Sequence, residues 1–412
     1  MYDVIVVGAR VAGSPTAMLL ARAGYRVLMV ERSTFPKETL STLYIHQPGI
    51  ALLSKWGVLP DVVATGCPPL DRAAYTYAGV RIEGSSWPVE GQQASYAPRR
   101  FLIDTILTKA AVDAGVEFRD NCSVTDLVFE DDRVVGVRLK PSDGSEVVER
   151  ARLVVGADGM RSTVAAKVKA PYEIEDPTLT CCYYSYWEGL PTRFRLYQSR
   201  GSWVGTVPTN DGATLVAAYF PQARFAQVKG DGLAALLDTV RHTAPEVRAE
   251  MDAGTQVERL FGTGNQLNFF RRAAGPGWAL VGDASHHKDS ITARGITDAF
   301  IQAQLLVDRI GDTLQDPDRL RKSLDAFAAQ RTETLIPDYK STLKTAELNP
   351  PGHHLDLLRA AATSGELSDR YFSALSGACP VNEFLTPELL DLMEEMREVR
   401  DLDERGAAAG AR

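Results

Sequence analysis

The residues whose spacing first suggests chemistry are two glycines and an acid near the N-terminus. In "VVGARVAG", Gly8 and Gly13 occupy the first and third glycine positions of a Rossmann nucleotide fingerprint. The first glycine permits a tight turn, and the third permits close packing of a helix against a strand. Glu31 follows Gly8 by 23 residues, where a carboxylate can accept hydrogen bonds from an adenosine ribose. This spacing predicts a dinucleotide site.

Arg10 departs from this fingerprint, because it occupies the position of the second glycine. Glycine at that position lets the backbone approach a pyrophosphate. An arginine is compatible with the site if its side chain points away from the phosphates or pairs with them. Two interpretations therefore stay open: a surface side chain on the loop, or a contact with a phosphate or with the edge of the cofactor.

Two further acidic turns follow apolar strands later in the chain. "RLVVGADGMRST" places Asp158 and Gly159 directly after one strand, and "GWALVGDASHHKDSITARGITDAF" places Gly282 and Asp283 after another. A helix is predicted to begin near Gly295. Each aspartate alone is also typical of a helix N-cap or a turn. Only the ordered set of three turns indicates one shared site.

A parallel sheet is predicted to position these turns. The β-branched run from Val4 to Val7 suits a buried strand, and the segment from Val11 to Ala23 suits a helix closed by Gly24. "YRVLMV" follows as a second strand that ends at Glu31. This is a complete βαβ unit.

The rest of the chain divides into segments of different composition. "LIDTILTKAAVDAGVEF" predicts a helix stopped by Gly115, and the stretch after it predicts a meander of strands. Residues 177–264 contain aromatic strand-like runs before one helical segment from Asp231 to Met251. From Gly295 the chain is predicted to stay helical to about Arg400, broken by Pro337, "NPPG" and Pro380.

Composition narrows the class of protein. The 412 residues are 45% hydrophobic and carry a net charge of −8, which argues against a nucleic-acid surface or an anionic membrane. The five cysteines form no C-x-x-C pair and no metal spacing, which predicts a reducing cytoplasm and no metal site. "MYDVIVVG" lacks a basic leader and is interpreted as a mature strand. No apolar run reaches the roughly 18 residues of a membrane span.

The three motifs, in this order, resemble those of the class A FAD-dependent monooxygenases, which have the para-hydroxybenzoate hydroxylase fold. The resemblance spans about Met1 to Phe327. It implies an α/β fold: a Rossmann-type FAD-binding domain with an inserted antiparallel-sheet substrate domain and a helical C-terminal region. The domains are predicted as residues 1–75, 98–176 and 265–330 for FAD, 76–97 and 177–264 for substrate, 331–403 for the helical region, and 404–412 as a disordered tail.

The resemblance also implies a role for each motif residue. Gly8 and Gly13 would receive the FAD pyrophosphate, Glu31 the ribose, and Asp283 the ribityl hydroxyls. Asp158 would lie near the pyrophosphate, in a groove that NAD(P)H also visits. Arg100 would reach the pyrophosphate or ribityl chain, with neighbouring Arg99 as the competing choice. The full set of predicted cofactor contacts is Gly8, Arg10, Ala12, Gly13, Glu31, Arg32, Arg99, Arg100, Val124, Asp158, Gly159, Gly282, Asp283, Gly295 and Ile296.

The loop before Gly295 gives one physical expectation and contains one departure from the family pattern. A helix that begins near Gly295 would aim the unpaired N–H groups of Gly295 and Ile296 at the flavin pyrimidine edge, where reduction places negative charge. The family usually has proline at the position of Ser290. Because that proline lies where oxygen is thought to react, Ser290 puts the local geometry in doubt.

The reaction implied by the resemblance is oxygen insertion. NAD(P)H would reduce FAD and leave, and O2 would form a flavin C4a-hydroperoxide that transfers one oxygen atom to a hydrophobic, aromatic or polyketide/terpenoid-like small molecule. Four alternatives stay open: a reductase of the geranylgeranyl reductase type, a flavin halogenase, an enzyme of oxygen-independent oxidation, and a flavoprotein without turnover. The halogenase W-x-W-x-I-P box corresponds to "SWVGTVP" here, with Gly205 in place of the second tryptophan.

No catalytic acid or base is evident, so the candidates are weighed against packing roles. They are His287, Ser290, Tyr186, His46 and Tyr44. In "YYSYWEGL", alternation puts Tyr184, Tyr186 and Glu188 on one face and Tyr183, Ser185 and Trp187 on the other. One face should front the flavin, and the sequence does not decide which. It also leaves open whether two copies form a homodimer.

Overall fold

The computed structural model describes residues 1–410, with the side chains of all but 381, 382 and 401–410. The strands, in chain order, are β1 (Tyr2–Val7), β2 (Val27–Val30), β3 (Ala73–Tyr77), β4 (Val80–Gly84), β5 (Glu117–Arg119), β6 (Cys122–Glu130), β7 (Arg133–Pro141), β8 (Val147–Gly156), β9 (Tyr172–Asp176), β10 (Thr180–Glu188), β11 (Phe194–Ser199), β12 (Ser202–Pro208), β13 (Ala213–Pro221), β14 (Thr255–Gln256), β15 (Phe261–Thr263), β16 (Asn268–Arg271), β17 (Ala274–Gly275), β18 (Trp278–Leu280) and β19 (His286–His287).

The helices follow the same chain order. They are α1 (Gly13–Arg22), α2 (Gln47–Lys55), α3 (Leu59–Ala64), α4 (Arg100–Asp113), α5 (Thr163–Lys167), α6 (Phe225–Val228), α7 (Gly232–Thr243), α8 (Pro245–Ala253), α9 (Gly295–Ile310), α10 (Pro317–Ala346), α11 (Gly352–Ala361), α12 (Gly365–Ser376), α13 (Val381–Phe384) and α14 (Pro387–Gly410). The predicted α/β class is confirmed. No helix in the described part of the chain combines the length and apolar content needed to cross a membrane.

The first sheet is built on parallel strands in the order β18-β8-β1-β2-β5. The antiparallel β17 extends it beyond β18, and the predicted meander is present as β6 and β7 leading into β8. Val4 and Val6 of β1 pack against the helices, whereas Ile5 and Val7 pack on the side of the meander. Both faces are therefore buried, as expected for apolar parallel strands.

The second sheet has the order β14-β10-β13-β12-β11-β3-β4, with β15 also paired to β10. All its pairings are antiparallel except the parallel pair of β11 with β3. One face packs on α7 and α8. The other face packs on α11, α12 and the loop before α9. A small third sheet has the order β19-β16-β9.

Two helix predictions are wrong at prolines. The segment from Asp231 to Met251 is two helices, because Ala244 precedes Pro245 and has non-helical angles (φ −141°, ψ 65°). In contrast, Pro337 does not break α10. Leu335 and Tyr339, on either side of it, are buried against Phe270, and this packing outweighs the lost hydrogen bond.

The predicted domain limits fall inside elements at three places. The limit at 75/76 divides β3, the limit at 330/331 divides α10, and the limit at 403/404 divides α14. The division itself stays a prediction. The last helix, α14, is assigned as far as Gly410, and the predicted disorder of residues 404–412 stays a prediction. Residues 411 and 412 lie outside the described residues.

Gly13 provides a test of the βαβ turn. A Cβ atom on Gly13 would lie 1.7 Å from the carbonyl oxygen of Gly8, a contact that only backbone movement can relieve. Gly13→Ala should therefore lower the free energy of unfolding by about 3 kcal/mol or prevent folding. The matched control is Gly365→Ala at the exposed start of α12, where a Cβ meets no atom. Equal urea midpoints for the two variants would contradict this packing.

Candidate functional site

A cavity of about 420 Å³ opens where β1, β2, β8 and β18 end. Because these strands are parallel neighbours, their carboxyl ends meet at one edge of the sheet. Most residues that the sequence predicted as cofactor contacts or catalytic groups line this cavity. They are Gly8, Arg10, Ala12, Glu31, Arg32, Arg100, Val124, Asp158, Gly159, Gly282, Asp283, His287, Ser290, Gly295 and Ile296.

The glycines of the three turns hold these segments in contact. Gly8 has a φ of +102°, and a Cβ atom there would lie 2.4 Å from the carbonyl oxygen of Ala157. A Cβ atom on Gly282 would lie 2.6 Å from that of Ala12. Gly13 does not line the cavity but packs behind it against Gly8. Larger residues at these positions would separate the turns.

Glu31 is oriented by the backbone. One carboxylate oxygen accepts the N–H of Ala9 at 3.2 Å, and the other accepts the N–H of Ser33 at 3.0 Å. The side chain is buried apart from the surface it presents to the cavity. Each oxygen keeps a lone pair for a further donor, as a ribose contact requires.

Arg10 and Arg100 converge on Asp104 of α4. Arg100 Nη2 lies 3.2 Å from both carboxylate oxygens, and Arg10 Nη1 lies 3.9 Å from one. Burial raises the pKa of the fully buried Asp104, and the two guanidinium groups oppose that shift. Arg10 is thus ion-paired rather than a free surface group. Arg100 Nε has no hydrogen-bond partner among the described residues and is available to a ligand.

Arg99 points away from the cavity. Its guanidinium donates to Glu258 at 2.8 Å and to Glu38 at 3.4 Å, and it stacks over the ring of Tyr186 at 4.3 Å. Of the two arginines left open by the sequence, the structure therefore places Arg100 at the cavity and Arg99 beside the second sheet.

The two motif aspartates differ in their surroundings. Asp158 accepts bonds from Ser162 Oγ and from the N–H groups of Thr163 and Val164, so it caps α5 while also lining the cavity. Burial raises the pKa of Asp158. Asp283 is exposed to the cavity and has no hydrogen bond or ion pair to any described residue. Its carboxylate is free to accept hydroxyl donors.

Helices α1 and α9 begin at the cavity without side-chain caps. Neither Ala12 nor Arg294, the N-cap residues, makes a capping hydrogen bond. Gly295 and Ile296 line the cavity, and a Cβ atom on Gly295 would meet nothing within 4 Å. Free N–H groups and the positive end of the helix dipole favour an anionic ligand at each end.

Ser290 joins the loop before α9 to the second sheet. Its hydroxyl donates to Gln266 Oε1 at 2.6 Å and lies 2.9 Å from the hydroxyl of Tyr219, while its N–H donates to Gln266 at 3.1 Å. Gln266 Nε2 in turn donates to Thr180, whose hydroxyl donates to Asp289 at 2.7 Å. Burial raises the pKa of Asp289 to about 6.

The same network decides which face of β10 fronts the site. Tyr219 shares a face with Tyr184 and Tyr186, and the Tyr184 hydroxyl accepts the N–H of Ser41 next to the cavity. The opposite face carries Trp187 under α7 and α8. Of the two faces left open by the sequence, the one with Tyr184 and Tyr186 lies toward the cavity.

Three predicted catalytic residues do not reach the cavity. Tyr186 is buried under Arg99, whereas Tyr44 and His46 line a separate space of about 20 Å³. His46 Nε2 bonds to the carbonyl of Thr292 at 3.1 Å, and burial lowers the pKa of His46 to about 3. It is a neutral anchor for the loop. Burial raises the pKa of Tyr44 to about 12.

The two loop histidines have packing partners. His287 lines the cavity, but its Nδ1 bonds to the carbonyl oxygen of Leu267. His286 lies between Phe270 and Tyr339, and burial holds its pKa well below the usual range.

Several polar residues of the cavity wall were missed by sequence analysis. They are Thr39, Ser41, Thr42, Lys288, Asp289, Asp298 and Gln302. Asp298 and Gln302 are polar positions three and seven residues after Gly295 in the same helix. That periodicity, which puts all three on one face, was the available signal.

These residues fit FAD. The glycine cradle, the uncapped start of α1 and the free Arg100 Nε suit a pyrophosphate, and Glu31 suits a ribose. Asp283 suits a polyhydroxyl chain, and the uncapped start of α9 suits an electron-accepting ring.

Comparison with known proteins gives the same assignment. The sequence model of a family described as FAD binding domain matches residues 1–334. A digeranylgeranylglycerophospholipid reductase of Methanosarcina acetivorans is 25% identical over 412 residues, covering 96% of this chain and 97% of the relative. A 6-methylpretetramide 4-monooxygenase of Streptomyces rimosus is 28% identical over 340 residues, covering 80% of each protein.

The fold is also that of solved flavoproteins. The myxobacterial chondrochloren halogenase CndH superposes with a TM-score of 0.76 at 21% identity, covering 96% of both chains. The predicted resemblance and the predicted FAD-binding fold are thereby confirmed. Relatives of three different activities share it, so the fold does not select the reaction.

Ser290 is testable by two substitutions. Ser290→Ala removes the hydroxyl bonds to Gln266 and Tyr219 and should cost about 1–2 kcal/mol of unfolding free energy. Ser290→Pro also removes the N–H bond and should cost about 1 kcal/mol more. Asp289 (φ −47°, ψ 136°) already has the backbone that precedes a proline, so strain adds little.

The matched control for Ser290 is Ser145→Ala. Ser145 bonds to Asp143 on an exposed turn, and its loss should change stability by less than about 0.5 kcal/mol. Urea unfolding measures all three variants. A Ser290→Pro variant as stable as the parent chain would contradict the network.

The lowered pKa of the buried His46 predicts that the stability of the fold depends on pH. Its folded pKa of about 3 lies below the ordinary 6.5, so protons bind the unfolded chain first and stability is lost as pH falls below about 6.5. Between about pH 7.5 and 5 this costs about 2 kcal/mol. His46→Gln should lose correspondingly less over the same range in urea unfolding. Parallel pH profiles for variant and parent would show that His46 is not buried as a neutral group.

Proposed function

Because the chain belongs to the FAD-binding family of class A flavoprotein monooxygenases, we propose that it uses NAD(P)H and O2 to insert one oxygen atom into a hydrophobic small molecule. The substrate class that fits best is aromatic, polyketide-like or terpenoid-like. The observation that carries the proposal is the aromatic face of the second sheet, which is turned toward the Ser290 loop.

This face forms an aromatic wall beside the Ser290 loop. Tyr184 stacks on Phe261 with ring centroids 5.3 Å apart, and Tyr44 stacks on Phe194 at 4.3 Å. Stacked rings supply apolar area and exclude water. A dry, apolar compartment next to the cofactor is what oxygen transfer needs.

When bound, FAD supplies the hydride acceptor and the oxygen chemistry. The chain's own groups bind FAD and orient it. Glu31, Arg100 and Asp283 would hold the adenosine, pyrophosphate and ribityl parts. Tyr219 is a buried phenol whose pKa is raised well above its usual value by burial, so it stays protonated and holds Ser290 in position.

A reductase is the second candidate. Its support is the similarity to the Methanosarcina acetivorans reductase, which covers 96% of this chain and so includes most of the region after residue 334. A reductase would saturate an alkene on the same scaffold without oxygen.

A halogenase has less support from this chain. Gly205 replaces the second tryptophan of the halogenase box. Halogen incorporation is therefore an outcome of the test below rather than a proposal.

The test is NAD(P)H oxidation by the FAD-loaded chain with a panel of aromatic, polyketide-like and terpenoid compounds, with and without ¹⁸O2. A substrate should accelerate NAD(P)H oxidation in air, and its product should gain one ¹⁸O atom. A product formed anaerobically with two added hydrogens would overturn the proposal in favour of the reductase. A product that carries bromide or chloride from the buffer would overturn it in favour of a halogenase.

A further inference from the structure

Lys288 is a buried cation in the wall of the cavity. Its side chain is 4% exposed, and its Nζ lies 2.7 Å from Asp298 Oδ2. The distance between these two atoms is that of an ion pair, but the angles at them do not satisfy hydrogen-bond geometry. Nothing in the proposed reaction so far uses this lysine.

Asp298 lies where its charge matters for a bound cofactor. It is the fourth residue of α9, whose uncapped start faces the cavity through Gly295 and Ile296. A carboxylate in the first turn opposes the positive potential of a helix N-terminus. Arg294 Nε is 3.9 Å from Asp298, but its guanidinium also pairs with Asp338 at 2.6 Å. Lys288 is therefore the nearest neutralising charge.

Gln302 indicates that this wall contacts a ligand. It lies one turn after Asp298 on the same face of α9, is 1% exposed and lines the cavity. Neither its amide oxygen nor its amide nitrogen has a hydrogen-bond partner among the described residues. Buried amides are almost always paired, so a bound group is the expected partner.

We propose that Lys288 sets the reduction potential of the bound FAD by cancelling the charge of Asp298. With the pair neutral, the N–H groups at the start of α9 present a net positive potential to the ring, which gains negative charge on reduction. Gln302 supplies a neutral donor and acceptor beside them. Lys288 is thus a positioning residue that acts through Asp298 and the helix end.

The proposal rests on FAD occupying the cavity, as the proposed function does, but not on oxygen insertion. Without Lys288, the carboxylate of Asp298 would disfavour the reduced form, so Lys288→Met should lower the midpoint potential. Without Asp298, the ammonium of Lys288 would favour the reduced form of FAD, so Asp298→Asn should raise the midpoint potential. The double variant, neutral again, should return close to the parent value.

The measurement is an anaerobic redox titration of each FAD-loaded variant, with visible absorption as the readout. Each single variant should change the affinity for reduced relative to oxidised FAD about tenfold, which is about 30 mV for a two-electron couple. Lys288→Arg, which keeps the charge, should stay near the parent. The control is Arg195→Met, which breaks the ion pair between the buried Arg195 of β11 and the partly exposed Glu250 of α8, away from the cavity.

The outcomes separate this inference from the proposed function. The role of Lys288 would be overturned if both single variants kept the parent potential, or if the potential of the double variant did not return to the parent value. Neither result would bear on the proposal of oxygen insertion. Should Lys288→Met fail to fold, the Asp298→Asn variant, which leaves an unpaired ammonium instead of an unpaired carboxylate, and the double variant, which leaves neither charge, still decide. A parent chain that takes up no FAD would overturn both proposals.

Discussion

The structure depends on four parallel strands that end at one edge of one sheet. β18, β8, β1 and β2 are neighbours, so residues far apart in the sequence meet there. The contact is close because glycine is present where a Cβ atom would collide: at Gly8 with Ala157, and at Gly282 with Ala12. This edge, rather than any single side chain, creates the cavity. The acidic turns and both uncapped helix ends follow from it.

Two buried carboxylates beside the cavity have cationic partners. Asp104 is held by Arg10 and Arg100, and Asp298 by Lys288. Without these partners, the two carboxylates would repel the phosphates and the reduced ring of a flavin nucleotide. With Asp298 paired, the start of α9 presents a net positive potential to the cavity. Neutral groups, the hydroxyls of Ser290 and Tyr219, hold the loop before α9 in position.

The sequence predicted the parts of the site that local pattern determines. Gly8, Glu31, Asp158 and Asp283 follow strands, and a parallel sheet brings strand ends together wherever they occur in the chain. The sequence could not choose between Arg99 and Arg100, which are adjacent at the start of α4. Which of them faces the cavity depends on partners that come close only in three dimensions, Glu258 for Arg99 and Asp104 for Arg100. Pro337 was misjudged for the same reason, since tertiary packing on both sides keeps α10 continuous.

The central claim is that this edge of the sheet binds a flavin together with its adenosine half. It is tested most directly by titrating the flavin-free chain with FAD and, separately, with FMN, and following the visible absorption of the flavin. The account predicts one FAD per chain and much weaker binding of FMN, because FMN leaves Glu31 and part of the Gly8 turn without a ligand. No uptake of FAD, or equal affinity for FMN, would contradict it.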